Sequence, residues 1–230
     1  MTTTRELCEV LAAALGLEPE LVKGHAHALR EAGPFATDEA DTDDVQAEPE
    51  HAAVLLISLM SGVPPDKAPD AVRLFGGLPL DSVTRCELML DGQFEAFRMS
   101  DVDPFMNDLA VLGETFGAFL AGLVRAFNET PEVNIEPGEI ILGGGLGTAS
   151  ASVHILVLAD GVDVGGTVQF TLAPMGGLCR PPDDAPPARL DRYASVPGVI
   201  FSIFRKFFTG DRDGPRKVPF SCAELTALTK

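Results

Sequence analysis

The chain opens with two short stretches in which apolar residues recur three or four positions apart, the spacing of one helix face. Thr3 or Thr4 can cap the first predicted helix, and Gly16 ends it. Pro19 suits the first turn of the second helix, which Gly33 ends. The positions predicted to face inward are Leu7, Leu11 and Ala14 in the first helix and Val22, Ala26 and Leu29 in the second. The pattern therefore predicts two short helices joined by three residues.

An acidic segment and two further helices follow. Residues Phe35 to Pro49 carry six carboxylates and almost no large apolar side chain, which predicts a mobile acidic loop. The stretch from His51 to Gly62 is apolar on nearly every side, so a helix there is predicted to be buried centrally. Asp66 to Phe75 predicts one more short helix. These elements form a first predicted lobe, residues 1–80.

The pattern changes near residue 81. Polar and apolar residues alternate around Asp91-Gly92, which predicts a β-hairpin, although a helix is the competing interpretation. Helical spacing from Pro104 to Asn128 predicts a long amphipathic helix. A further helix is predicted from about Pro197, followed by a tail. The β-rich runs are Ser152 to Leu158, Thr167 to Leu172 and, as a third candidate strand, Ile140 to Leu142.

Together these elements predict an α+β fold of two lobes. Residues 1–80 form a helical lobe that contains a helix-turn-helix, and residues 81–230 form a mixed lobe with a small antiparallel sheet, a long helix and a basic C-terminal tail. The hydrophobic fraction of 46% is that of a folded protein. The formal net charge of -17 makes the whole chain a poor ligand for polyanions unless its cations cluster locally.

The cysteines and the N-terminus bear on location. The four cysteines, at positions 8, 86, 179 and 222, are far apart and form no C-x-x-C pair, so we expect reduced thiols and no zinc site. The first ten residues, MTTTRELCEV, lack the basic start and apolar core of a signal peptide. No apolar run approaches the length that crosses a bilayer. We therefore expect a cytoplasmic protein without a membrane partner.

The motifs that would indicate a cofactor or an enzyme are incomplete. His25 and His27 are two residues apart, which places them about 200° apart on a helix, so a shared metal ion is not predicted. The stretch ILGGGLGTAS is glycine-rich, but a β-rich run follows it and no Gly-Lys-Ser/Thr is present, so a hairpin connection is predicted instead of a phosphate loop. No nucleophile, base and orienting acid can be assembled. The expectation is a noncatalytic protein without metal or cofactor.

The first 35 residues resemble winged helix-turn-helix DNA-binding proteins. Ala12 lets the two helices approach, Gly16 takes the turn, and Leu17 and Val22 fill the wedge between the helices. The stretch LREAGPFA resembles the end of a recognition helix that runs into a wing. The resemblance implies that the second helix enters the major groove of double-stranded DNA.

Three side chains on the second helix are the predicted DNA-binding residues. Lys23, His27 and Arg30 occupy positions i, i+4 and i+7 and so share one face, where they can meet phosphates or base edges. Residues 1–35 also hold five carboxylates against three Lys and Arg side chains, whereas DNA-binding modules are normally basic.

The layout as a whole is similar to uncharacterised proteins encoded in bacterial prophages. That resemblance implies a phage-linked transcriptional regulator or a small terminase-type packaging subunit. Those relatives carry a basic Gly/Arg loop where this chain has Asp38 to Asp44. A third interpretation, favoured by the net charge, is an acidic protein-interaction or inhibitor module that binds a basic protein partner.

The terminal helix bears on assembly. Its aromatic residues lie beside cations, which favours a packed or subunit-joining helix over a free arm and predicts a homo-oligomer. The residues concerned are Phe201, Phe204, Arg205, Lys206, Phe207 and Phe208.

Overall fold

The computed structural model describes residues 2–33, 45–88, 94–98, 113–129, 135–145, 148–159, 162–171, 190–210 and 221–223. The helices of these segments are α1 (Thr4–Leu15), α2 (Pro19–Glu31), α3 (Pro49–Met60), a 3₁₀ helix (Pro65–Lys67), α4 (Ala68–Gly76), α5 (Phe116–Glu129) and α6 (Val199–Thr209). The strands are β1 (Leu80–Leu88), β2 (Phe94–Arg98), β3 (Ile135–Gly145), β4 (Thr148–Ala159), β5 (Val162–Thr171), β6 (Leu190–Pro197) and β7 (Ser221–Ala223). The predicted α+β class is confirmed.

The strands form one antiparallel sheet in the order β2-β1-β5-β4-β3-β6-β7. Alternate residues on the inner strands are buried, as expected of a sheet with one face against the core. One buried row crosses four strands in register and consists of Val196, Ile140, Val153 and Val168. The neighbouring row consists of Ala194, Leu142, Ala151 and Phe170.

Aromatic contacts join the helices to this face. The ring of Phe170 on β5 lies 5.4 Å from that of Phe116 and 5.2 Å from that of Phe119, both on α5. Helix α5 in turn packs on α3, α4 and α6, and α6 contacts α1. The buried apolar side chains therefore form one continuous core that runs from Leu7 to Phe204 and draws on both predicted lobes.

Most predicted elements are confirmed. Helices α1 and α2 begin and end within a residue or two of the predicted positions, and α3 is buried on nearly every side. The predicted hairpin is formed by β1 and β2, which pair from Thr84↔Arg98 to Leu88↔Phe94. The predicted terminal helix corresponds to α6. The glycine-rich stretch joins β3 to β4 as a hairpin, with Gly145 paired to Thr148.

The prediction of one long helix from Pro104 to Asn128 is wrong for residues 113–115, and residues 101–112 lie outside the described part. Gly113 has φ +149, and a Cβ atom there would lie 2.6 Å from the backbone of Ala118. The Leu80 N–H donates to the carbonyl oxygen of Glu114, and the Phe119 N–H donates to that of Thr115. The segment before Phe116 therefore runs beside the start of β1, and α5 begins only after it.

The sheet extends beyond the small one predicted. Strand β6 lies in a stretch that carried no predicted element, and β7 lies in the predicted C-terminal tail. The two pair with each other, with Ala194 opposite Cys222. The tail prediction is therefore wrong for residues 221–223. The alternation of apolar Ala194 and Val196 with polar Ser195 is the sequence signal that could have identified β6, and both apolar residues are buried.

The predicted acidic loop, Phe35 to Pro49, lies outside the described residues as far as position 44, as does the predicted wing after Gly33. The end of that loop is anchored. The Thr4 N–H donates to the Val45 carbonyl oxygen at 2.9 Å, and the Ala47 N–H donates to that of Thr2 at 2.9 Å. The N-terminal segment and the entry to α3 are thus held side by side.

Candidate nucleic-acid interface

The turn between α1 and α2 has the geometry that the sequence predicts. Gly16 has φ +67, a left-handed conformation that glycine adopts without strain. The N–H groups of Gly16 and Leu17 both donate to the Ala12 carbonyl oxygen. Val22 is fully buried, and Leu17 packs partly buried against the core. The two helices therefore meet over an apolar wedge, with Pro19 opening α2.

The first helix is fixed at its start by reciprocal hydrogen bonds. The Glu6 N–H donates to Thr3 Oγ1 at 3.2 Å, and the Thr3 N–H donates to Glu6 Oε2 at 2.9 Å. This capping box satisfies two backbone donors that a helix start leaves without partners. It confirms Thr3 as the residue that caps α1.

The two histidines of α2 face opposite environments. His27 is 69% exposed, whereas His25 is 2% exposed and lies among the inward-facing residues. The Nδ1 atom of His25 forms a hydrogen bond of 2.6 Å with Ser58 Oγ on α3. This separation agrees with the angle of about 200° between residues two apart on a helix. His25 is the structural residue of the pair, a role that the sequence analysis did not assign.

The predicted DNA-binding side chains remain on the surface of α2, but carboxylates accompany them. Lys23 Nζ lies 3.0 Å from Glu20 Oε1, and Lys23 is 47% exposed. His27 Nε2 lies 3.4 Å from Glu31 Oε1. Arg30, the third predicted residue, is half-buried on the same helix. All three residues thus lie on α2, and the geometry places Glu20 beside Lys23 and Glu31 beside His27.

A third ion pair, on α1, lies close to this face. Arg5 Nε is 3.8 Å from Glu9 Oε1, and both side chains are exposed. The hydrogen bond and negative charge of Glu20 raise the pKa of Lys23, and Glu9 adds a smaller effect in the same direction. We define the α1–α2 face by the exposed side chains of Arg5, Glu9, Glu20, Lys23, His27 and Glu31 together with the half-buried Arg30. With His27 neutral, it carries three cations and three carboxylates, an alternation of charges in place of a positive ridge.

Other parts of the described chain offer less chemistry. Among the described residues, no group of three or more His, Cys, Asp or Glu side chains is arranged to hold a metal ion. Cys8 is a buried cysteine. On α6, Phe201 and Phe204 are buried in the chain's own core. Of the two predicted roles of this helix, packed or subunit-joining, these side chains serve packing within the subunit. Arg205 is exposed beside them and Lys206 is half-buried, whereas Arg212, Arg216, Lys217 and Lys230 lie outside the described residues.

Comparisons with known proteins do not extend this description: no family model matches the chain, and neither the curated proteins nor the solved structures gave a match. Of the helices described, none combines the length and the apolar character that a membrane span requires.

Proposed function

We propose that this chain is a noncatalytic, cytoplasmic protein that binds double-stranded DNA through α2, as a phage- or prophage-linked transcriptional regulator. The observation that carries the proposal is the tight turn at Gly16, which sets α2 beside α1 and leaves Lys23 and His27 facing solvent. In helix-turn-helix proteins the second helix lies in the major groove, and such side chains contact phosphates and base edges.

The ion pairs of the α1–α2 face decide how strong this binding is. Exposed ion pairs contribute little net free energy, so a DNA phosphate can take the place of Glu20 beside Lys23 at little cost. Glu20 and Glu31 stay close to the incoming phosphates, however, and repel them. We therefore propose weak binding per subunit, strongest at low salt, which a homo-oligomer would multiply by aligning several copies.

Fluorescence anisotropy with a library of duplex fragments tests this proposal. The expected result is binding at about 50 mM salt that is largely lost at about 200 mM. The Lys23→Ala and Arg30→Ala variants should bind more weakly, and Glu20→Gln with Glu31→Gln should bind more tightly because repulsion is removed. Absence of binding at low salt, even for the Glu20→Gln and Glu31→Gln double variant, would contradict the proposal.

A matched control comes from α4, where Arg73 Nη1 and Asp70 Oδ1 form an exposed pair at 3.0 Å with the same i, i+3 spacing as Lys23 and Glu20. Asp70→Asn changes the net charge by the same amount as Glu20→Gln, on a helix that contributes no side chain to the α1–α2 face. If the two variants raise DNA affinity equally, bulk charge is responsible and α2 is not the recognition helix. Light scattering on the same samples gives the subunit number, and a large ring would favour the small-terminase alternative.

One observation favours a second candidate function. The carboxylates of the α1–α2 face, Glu9, Glu20 and Glu31, are all exposed and suit a basic surface on a protein partner. In that case the chain is an acidic interaction or inhibitor module, and the same variants affect binding of the protein partner differently from binding of DNA. Glu20→Gln with Glu31→Gln would weaken capture of the basic partner, and Lys23→Ala would leave it unchanged.

A further inference from the structure

The contact between α2 and α3 contains a buried hydrogen bond between two side chains. His25 Nδ1 and Ser58 Oγ are 2.6 Å apart, and Ser58 is fully buried. Helix α2 buries only four side chains: Val22, His25, Ala26 and Leu29. Helix α3, by contrast, buries nine. One of the four anchors of the proposed recognition helix is therefore a titratable group.

The neutral imidazole suits this site and the imidazolium does not. A neutral ring can either donate to Ser58 Oγ or accept from its hydroxyl, whereas a protonated ring has two N–H donors and a full charge to bury. Burial lowers the pKa of His25. The site thus selects the uncharged form, by desolvation together with the geometry of a single short hydrogen bond.

The surroundings provide no countercharge for an imidazolium among the described residues. Four elements pack against α2: α1, α3, the 3₁₀ helix and α4. On α1, the charged residues Arg5, Glu6 and Glu9 are exposed, and on α3 Glu50 is exposed. On the 3₁₀ helix and α4, Asp66, Lys67, Asp70 and Arg73 are exposed as well. The titratable side chains buried on these four elements are Cys8 and His51, and neither carries a negative charge in its ordinary form.

On α2 itself the charged neighbours also point away from His25. Glu20, Lys23, His27 and Glu31 are exposed, and Arg30 is half-buried. Protonation of His25 therefore places a charge in an apolar site toward which no carboxylate of the described residues is turned. The charge on His25 regains its hydration at the lowest cost in free energy if α2 separates from the core.

We propose that His25 and Ser58 form an acid-sensitive joint, and that protonation of His25 detaches α2 from α3 while α3, α5 and the sheet stay folded. The inference deepens the proposed function, since the helix that is released is the proposed recognition helix, and acid would then remove the DNA-binding surface. Local opening of this kind is expected where an element has few buried anchors.

Amide hydrogen exchange on the full chain tests the joint without any ligand, so its outcome is independent of whether DNA is bound. Protection is compared at about pH 7 and about pH 5, after correction for the intrinsic exchange rate. In the wild type, amides of Val22 to Leu29 should lose protection by about tenfold or more relative to those of Leu120 to Val124 on α5. Parallel loss in both helices, or unchanged protection of α2, would overturn the proposal.

Two variants separate His25 from acid effects elsewhere. His25→Asn keeps a polar atom near the Nδ1 position but does not titrate, so the selective loss in α2 should vanish. His27→Gln removes the exposed histidine of the same helix. In this variant the selective loss of amide protection in α2 at acidic pH should still occur. If α2 of His25→Asn loses amide protection in acid as the wild type does, protonation of His25 is not the cause of the opening.

A direct titration covers the case in which His25→Asn does not fold. The imidazole C2–H signal of His25 in the wild type is followed by NMR together with the α2 amide signals. Protonation of His25 should coincide with the change in the α2 amides. Protonation that leaves the α2 amide signals unmoved would contradict the proposal.

Discussion

Gly117 of α5 lies directly against Gly76 at the end of α4. A Cβ atom at position 117 would be 3.1 Å from the carbonyl oxygen of Gly76 and 3.2 Å from its Cα atom. Both neighbours are backbone atoms, which a helix cannot shift without moving as a whole. The absence of a side chain at Gly117 thus sets the distance between these two helices.

We expect Gly117→Ala to destabilise the fold by about 1–2 kcal/mol, because the overpacking cost exceeds the gain in helix propensity. Gly24→Ala is the control. It gains the same propensity within α2, and its Cβ would meet only the ring of Pro65, at 3.2 Å from Cγ, which can yield. Urea unfolding should rank Gly24→Ala as the more stable of the two. The opposite order would mean that α4 and α5 separate easily.

The loss of the Ser58 hydroxyl should be costly. Ser58→Ala leaves the Nδ1 atom of buried His25 without its partner, for which we expect a loss of about 1–3 kcal/mol in the free energy of unfolding. Ser61→Ala is the matched control, because Ser61 Oγ donates at 2.5 Å to the carbonyl oxygen of Ser58 within the same helix end. Chemical denaturation of the two variants checks the difference. Equal losses would show that the contact between α2 and α3 does not depend on this bond.

Stability should fall in mild acid because of His51 as well. Its Nδ1 atom accepts the Glu48 N–H at 3.1 Å, which requires that nitrogen to be unprotonated. Burial lowers the pKa of His51, and the nearby Glu48 and Glu50 carboxylates oppose this only in part. The unfolded chain then binds a proton at a higher pH than the folded chain does. Stability is therefore complete above the unfolded pKa of about 6.5 and declines as the pH drops below it, until the lower folded pKa is reached.

The expected slope from His51 is at most about 1.4 kcal/mol per pH unit. Urea unfolding at several pH values measures it, and the non-titrating His51→Asn variant, which keeps an acceptor for the Glu48 N–H, should have a flatter profile than the wild type. A profile of the same slope for His51→Asn would assign the acid sensitivity to other groups.

Phe170 should be among the most sensitive core positions, since it joins the sheet to Phe116 and Phe119. Truncation to alanine removes both ring contacts and leaves a cavity, with an expected loss of about 3–5 kcal/mol. Phe207→Ala is the control. Phe207 is only half-buried at the end of α6, where its ring contacts Phe208. Thermal unfolding should therefore show a much smaller effect for Phe207→Ala, and a comparable loss in both variants would contradict this account of the core.

The local signals in the sequence were enough to place the N-terminal helices. Thr3, Gly16 and Pro19 each have a fixed position at a helix end, so α1 and α2 could be predicted closely. The non-helical conformation of residues 113–115 could not be predicted, because the helical pattern continues through them. Only their contact with the start of β1 keeps them out of the helix. Tertiary contacts here override the periodicity.

The candidate site was predicted in part. Helical spacing predicts one face for Lys23, His27 and Arg30, all of which lie on α2. The same rule applied to Glu20 and Glu31 would have identified their pairing with Lys23 and His27, at i, i+3 and i, i+4. The hydrogen-bond partner of His25 could not be predicted from the sequence, because Ser58 lies on another helix and the two residues meet only when α2 packs on α3.

The strand order has a consequence for synthesis on the ribosome. Thr84 of β1 pairs with Thr167 of β5, so the hairpin of β1 and β2 emerges long before its second neighbour. Until β5 is translated, one edge of β1 lacks its native partner and is open to strands from other chains. The helices of the first 80 residues contact one another at short sequence separation and can pack earlier, although the surfaces of α3 and α4 that contact α5 stay open until residue 129 is translated. Nascent chains that stall before residue 162 should therefore be the species most prone to aggregate.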